Sequence, residues 1–513
     1  MRTRHVHTGR YLILTGIVVL VVLCGDGLLL ALKWPFTNKE TITSLEHFSS
    51  SRVRIGNFRK TFFPRPGYIA ENVSFVREAG GGTVQLASVQ QLSCFATWAA
   101  VVSLTHRIDE MRFSGLHVFV PAQVPPAMHL HPSETFETTV TRLTADGAIL
   151  DMAPRHIGGH LLRFVFPKLT VGNLAKKKAL TLNTVVQNPE PPGNLAVIGN
   201  VGPFDASKVG DTRLAGSFDL THADLNQFGT IGGLLTANGT FKGILRKAEV
   251  RARALIPNFE VVSSHHEVGV TVDLESVVDG VKGNVSIQSL QAHFLHTELD
   301  AHGSIGSKPG EQGKTLALDL ASQHARVEDL LRLFVTADKP PLDGPIEFST
   351  KVTLPPGNDK FLKRVRLAGR FEIDRAKFAS ESTQQKVDQL SERARGKGKK
   401  GDEATKEAPV VADLKSDATV RNGTAFLSHA LFQVPGAVAR GEGTYNLVTQ
   451  TVDLHGTLAM QATLSKAAGG AKSLFLLPLD PFFKKKHAGA VIPIQITGRY
   501  PNPSFRMSLT GKK

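Results

Sequence analysis

Past residue 50 the chain alternates apolar and polar positions with period two far more often than it repeats them at helical spacing. Val250, Ala252, Ala254 and Ile256 fall on one face, and Glu249, Arg251 and Arg253 on the other. Val365, Leu367, Phe371 and Ile373 oppose Arg366, Arg370 and Glu372 in the same way. Leu316, Leu318 and Leu320 oppose Asp319, and Val452, Leu454, Leu458 and Met460 oppose Asp453, His455 and Thr457. This pattern predicts half-buried antiparallel strands. Asn238-Gly239, Asp279-Gly280, Pro356-Gly357-Asn358 and Asn422-Gly423 read as turns between them, giving a meander. Pro121 to Pro126 and Pro189 to Gly193 are further breaks. Helical patterns are few: Thr43 to Phe48, Ser93 to Ser103, Ala223 to Phe228, Val327 to Val335 and Thr383 to Arg395.

One-sided strands with so few helices need cover for their apolar face. A second sheet packed on it makes a sandwich. The alternative is a long, curled sheet whose apolar face lines a groove filled by lipid, and alternation alone leaves both open.

A different pattern occupies the start. Tyr11 to Leu32 is apolar except for Thr15 and Asp26. As a helix it would extend about 33 Å, enough for a bilayer core. Trp34 follows at the expected interfacial level. A cleaved signal peptide would have a shorter apolar core and a small-residue cleavage site, and none is evident after Leu23. The expectation is a single-pass anchor over 11–32. Arg2, Arg4 and Arg10 before it, against Lys33 and Lys39 after it, predict a cytoplasmic N-terminus (1–10) and a translocated body.

Composition adds a constraint that charge at first obscures. The 513 residues carry 60 Lys+Arg against 45 Asp+Glu, a formal +15. The excess is local: Arg2, Arg4 and Arg10; Lys176 to Lys178; Arg393, Arg395, Lys397, Lys399 and Lys400; Lys484 to Lys486; Lys512 and Lys513. The remainder is neutral, so no nucleic-acid surface is implied. A 41% hydrophobic content excludes a wholly disordered chain. Cys24 and Cys94 cannot supply a disulfide framework. The 29 Phe against 2 Trp and 4 Tyr favour dry apolar surface. Residues 396–409, basic and then Gly-rich and polar, predict a flexible loop.

Catalytic patterns fail on context. Gly310 to Thr315 ends in Gly-Lys-Thr, but Lys308 stands where a phosphate-binding loop needs its first glycine, and the following residues alternate as a strand. There is no G-x-S-x-G elbow and no H-E-x-x-H. The 19 histidines are scattered; His129 and His131, His265 and His266, and His293 and His296 each lack further ligands at zinc-like spacing. Cys94 reads as a small buried hydrophobe. No catalytic residue, metal site or cofactor is expected, and the chain reads as not an enzyme.

Ser473 to Lys486 crowds Leu474, Phe475, Leu476, Leu477, Leu479, Phe482 and Phe483 before Lys484, Lys485 and Lys486. Apolar residues beside a lysine run suit an anionic membrane surface, with about 1 kcal/mol per nearby basic residue. The competing reading is an element that folds back to plug the sheet, since Ile492, Ile494 and Ile496 at once resume a strand. Trp34, Leu474, Phe475, Leu476, Phe482, Phe483 and Lys484, Lys485, Lys486 are the membrane-contact candidates.

Several stretches together resemble a known family. They are Trp34-Pro35-Phe36, Val53-Arg54-Ile55-Gly56, Phe62-Phe63-Pro64-Arg65-Pro66-Gly67, Gly216 to Leu225 with Ile231-Gly232-Gly233, Gly239 to Gly243, Gly441 to Gly456, Met460 to Leu464, Lys472 to Phe483 and Ile492 to Gly498. With these the chain resembles, over nearly its whole length, the AsmA-like family of bacterial cell-envelope proteins (AsmA/TamB-related). The resemblance implies an inner-membrane-anchored periplasmic protein of mainly β fold, in which an elongated, curled antiparallel sheet with a few short helices forms an apolar groove. It implies a bridge-like carrier of phospholipid toward the outer membrane, serving outer-membrane biogenesis, with an outer-membrane or envelope protein as partner. A non-transporting structural or regulatory scaffold for outer-membrane assembly is the alternative. About twenty strands at 4.8 Å would give a groove of order 100 Å. The expected regions are an N-terminal β region (34–220), a central β region ending in a helix (221–395), the loop 396–409 and a C-terminal β region (410–513). Val250, Ala252, Leu316, Leu318, Val365, Leu367, Phe371, Leu454 and Leu458 are the candidates to line the groove with acyl chains, or to be plain core in a sandwich.

Overall fold

A computed structural model describes residues 37–507 except 50, 62, 80–81, 103–106, 123–138, 155–159, 175–178, 204–207, 308–312, 337, 358, 360, 396–408, 462–490 and 500–501. The expected anchor (11–32), Trp34, the lysines 176–178, residues 396–408 of the expected loop and the apolar-basic stretch 474–486 lie outside the described residues. No helix among the described residues is long and apolar enough to cross a membrane.

The protein is mainly β, as the alternation predicts. Its strands, in chain order, are β1 (Arg52–Thr61), β2 (Gly67–Ala79), β3 (Gly82–Phe95), β4 (Arg107–Ser114), β5 (His117–Val120), β6 (Thr139–Met152), β7 (Leu162–Leu174), β8 (Leu180–Pro189), β9 (Pro192–Val201), β10 (Arg213–Asp224), β11 (Ile231–Gly232), β12 (Leu234–Ile244), β13 (Lys247–Val261), β14 (Val268–Asp279) and β15 (Asn284–Phe294). They continue as β16 (Thr297–Gly306), β17 (Thr315–Arg326), β18 (Leu342–Asp343), β19 (Pro345–Leu354), β20 (Arg366–Phe378), β21 (Ala412–Arg421), β22 (Thr424–Val434), β23 (Ala437–Asn446), β24 (Thr451–Met460), β25 (Val491–Arg499) and β26 (Asn502–Met507). The chain divides into two compact units. The first holds residues up to Phe228 with 233–256 and 273–288, and the second holds 229–232, 257–272 and the chain from Ser289 onward.

In the first unit β1, β2 and β3 form an antiparallel meander. β4 and β5 both pair antiparallel with β3 and then parallel with β6. This corrects the expectation of a purely antiparallel sheet. A parallel neighbour needs a long return connection, and residues 121–138 between β5 and β6 provide one; period-two alternation carries no information about strand direction. From β6 the order runs antiparallel through β7, β8, β9, β10, β12 and β13. Tyr68, Leu92, Met111, Leu143, Leu150, Phe166 and Leu169 are fully buried in its core. Over β2 to β7, therefore, the apolar face is covered.

In the second unit β16, β17, β19, β20, β21, β22, β23, β24, β25 and β26 pair antiparallel in that order. A helix over Glu381–Ala394 connects β20 toward β21 and shares a small core with Ala412, Val434, Ala437, Met460 and Ile492.

Local expectations change at three places. Of the helical pattern Ala223 to Phe228, Ala223 and Asp224 end β10 and only Leu225–Phe228 turns, as a short 3-10 helix. Asn238-Gly239 is not a turn but the middle of β12, paired to Asp219 and Phe218 on one side and Arg253 and Ala252 on the other. A Cβ on Gly239 would come 2.3 Å from the carbonyl oxygen of Arg251, so the glycine serves a close backbone approach. Ser93 to Phe95 belongs to β3, and among the described residues of the expected helix only Trp98–Val102 is helical. Ser93 and Cys94 pair with Ile69 and Tyr68 of β2, so ladder hydrogen bonds override local helical spacing there.

Candidate apolar groove

Burial differs along the sheet. In a sandwich the inward positions of each strand are occluded by the facing sheet. In β24 the positions instead alternate between exposed and half-buried from Thr451 to Leu458, and only Met460 is buried. β12 and the first part of β13 show the same alternation. The inward apolar side chains of these strands are only partly covered by the described residues.

Register then aligns these side chains into rows that cross the strands of the second unit. One row reads Ile346, Ile373, Leu414, Phe432, Ala439, Leu458 and Ile492 from β19 to β25, every position apolar. Another runs from Leu320 of β17 through Thr350, Gly369, Ala418, Leu427, Gly443 and Leu454 to Ile496. Toward the far strand ends, Leu318, Val352, Leu367, Val420, Ala425, Tyr445 and Val452 make a third.

The opposite face is charged. Arg370 Nε donates to Asp417 Oδ1 at 2.9 Å, and His429 Nδ1 lies 2.9 Å from Asp417 Oδ2. The bond from Arg370, then that from His429, hold the Asp417 carboxyl below its ordinary range. Lys415 pairs with Glu372, and Lys351 and His302 flank Asp319. Such exposed pairs contribute little stability each; they keep this face in water.

Between the rows and the helix Glu381–Ala394 lies a half-enclosed cavity of about 900 Å³. Phe371, Leu414, Leu427, Phe432, Leu454, Ile494 and Ile496 line it from the sheet, and Val387 and Leu390 from the helix. Of the unpartnered buried side-chain polar atoms among the described residues, none belongs to its lining. Its one buried hydroxyl, Ser416 Oγ, donates to the carbonyl of Ser428 at 3.0 Å. The wall therefore offers hydrocarbon contact and almost no polar demand.

The helix is fixed to the sheet by three polar side chains. Gln384 accepts from the Phe378 amide at 2.9 Å and donates to the Val410 carbonyl at 2.7 Å and to Asp388 at 2.8 Å. Asp388 in turn accepts from the Val410 amide at 2.9 Å, and Ser391 Oγ donates to the Pro435 carbonyl at 2.7 Å. Alternation reveals Phe371, Leu454 and Leu458 from sequence but not these pins, whose partners are backbone groups distant along the chain.

The sequence-derived groove residues divide by place. Leu318 and Leu367 share the third row, and Leu454, Leu458 and Phe371 lie on the same face in neighbouring rows. Leu316 pairs Ile305 and Leu354 farther along. Val365 precedes β20 and is buried. Val250 and Ala252 belong to the first unit, paired with Phe241 and Gly239, Val250 packing at the border of its core. Among the described residues no cluster of three metal-ligating side chains occurs. Burial pushes the Cys94 thiol up to about 12, which leaves it without thiolate character.

No family model, curated protein or solved structure matches this chain.

Proposed function

We propose that this chain is a carrier of phospholipid, holding acyl chains against the apolar rows of its sheet while headgroups remain in water. The supporting observation is that residues such as Leu367, Leu454 and Leu458 are apolar, aligned across strands and only half-buried, with charge confined to the other face. Each methylene laid on such a surface gains about 0.8 kcal/mol, which offsets extraction from a bilayer. Hydrocarbon contact has no directional requirement, so a chain can shift from row to row without bond breaking. The AsmA-like resemblance and the apolar stretch 11–32 support a carrier at the inner membrane, with its body in the periplasm and an outer-membrane or envelope protein as receiver. No catalytic step is part of the reading.

Native mass spectrometry of the full chain released from mild detergent tests it. Adducts of phospholipid mass are expected, and a Leu454→Asp variant should lose most of them. A parent protein without such adducts would favour a scaffold that carries no lipid.

A further inference from the structure

We infer that the cavity beside the helix Glu381–Ala394 is a dead-ended site for one acyl chain of an amphiphile, and that it measures chain length. The inference rests on the carrier reading and adds to it a fixed seat on the apolar face. The cavity's volume of about 900 Å³ falls within the usual range for ligand sites.

Its shape comes from side-chain size. Ser416, Ala430, Gly441 and Gly456 form its floor, one on each of β21 to β24, flanked by Leu414, Phe432 and Leu458 in one row and by Leu427 and Leu454 in the other. Same-face positions along a strand are about 6.7 Å apart, so the depression is one hydrocarbon chain wide. Phe371 on β20 and Ile494 on β25 stand at its two ends, and no described residue of β19 or β26 lines the cavity. Five strand spacings separate those ends, about 24 Å. The helix, about 21 Å long for its 14 residues, forms one wall.

The satisfied wall rejects a polar group inside, so the head of the amphiphile stays at the open side. A uniform groove would gain affinity with every methylene added; a closed depression stops gaining when the chain reaches Phe371 or Ile494.

The test is a native mass spectrometry competition on the full chain with an equimolar mixture of saturated fatty acids from C10 to C28. Adduct abundance should rise about fourfold per methylene to an optimum and then level or fall. Phe371→Ala should move the optimum to longer chains, and Ala430→Phe should move it to shorter ones or lower all adducts at least tenfold. Two variants are used because either alone could fail to fold. Binding that rises across the whole series, or an optimum that neither folded variant moves, overturns the chain-length site while leaving the carrier reading in place. Absence of any acyl adduct overturns both.

Discussion

Gly441 and Gly456 face each other across β23 and β24, each occupying space that a side chain could not share. A Cβ on Gly456 would lie 2.1 Å from the Arg440 carbonyl oxygen, and one on Gly441 would lie 2.5 Å from that of His455. The obstructing atoms are backbone, so relief requires the strands to shift. The same arrangement recurs in the first unit, where Gly199 pairs with Gly216 across β9 and β10. Glycine in a strand interior at such an approach permits local bending of the sheet and leaves the floor low.

Gly456→Ala should therefore lower stability by about 1 to 3 kcal/mol, the usual cost of overpacking. Urea unfolding followed by far-ultraviolet circular dichroism reads this. A variant as stable as the parent would show that the two strands are not held so close.

Much of the strand content was legible because alternation is a local property. Val250 and Ala252, or Leu454 and Leu458, declare their shared face without knowledge of any partner. Partner choice is not local. Nothing in Arg107 to Ser114 announces that β4 will run parallel to β6. Asn238-Gly239 was misread because glycine serves tight turns and close strand approaches alike; the distinction depends on Arg251 in the neighbouring strand. The groove candidates were legible as a face, but the cavity depends on Ala430 and Gly441, whose smallness carries no signal until register sets them beside Leu427 and Phe432. The helical pattern of Thr383 to Arg395 is legible in the sequence, yet the attachment of the helix through Gln384 and Asp388 depends on Phe378 and Val410, which only the fold brings near.

The attachment of the helix gives a second expectation. Gln384→Ala removes an acceptor for the Phe378 amide and a donor to Val410, at about 1 to 3 kcal/mol for groups left unpaired. Hydrogen exchange over residues 381–394 should accelerate, with β23 and β24 unchanged. Exchange at the parent rate would mean that apolar packing alone holds the helix.

In the first unit, Asp151 is buried and accepts from Arg163 Nε and Nη2, both at 2.8 Å, with His117 Nε2 at 2.7 Å. The bond from Arg163 is the largest cause holding its carboxyl below the usual aspartate range, followed on the lowering side by that from His117. A depressed folded value stabilises the fold above the unfolded pKa of about 3.9, and that contribution is lost as pH falls through the folded value. Stability should thus be flat in this contribution from pH 7 to about 5 and decline below about 4. Asp151→Asn should remove that part of the acid dependence and cost about 1 to 3 kcal/mol at neutral pH, reduced by the exposure of Arg163. Urea midpoints at several pH values decide it; an unchanged acid limb in the variant would contradict the assignment.

Asp329 makes a comparable connection in the second unit. Its Oδ2 accepts from the His296 amide at 2.8 Å and from Thr297 Oγ1 at 2.9 Å, and Thr297 Oγ1 accepts from the Arg326 amide at 3.0 Å. The helix Val327–Arg332 is tied in this way to the turn between β15 and β16. Asp329→Ala leaves two donors, the His296 amide and the Thr297 hydroxyl, to find new partners and should cost about 1 to 3 kcal/mol. Protease cleavage near residues 327–335 should appear in the variant at concentrations that leave the parent intact.

The central claim is that lipid meets one face of the sheet and water the other. Neighbouring residues of β24 put both faces within one strand, Leu454 toward the rows and His455 toward Glu442. A photo-crosslinking amino acid at each position in turn, in membranes containing radiolabelled phospholipid, measures this directly. Labelling of the protein by lipid at 454 and not at 455 is the predicted result. Equal labelling at both, or adducts only to protein at 454, would contradict it.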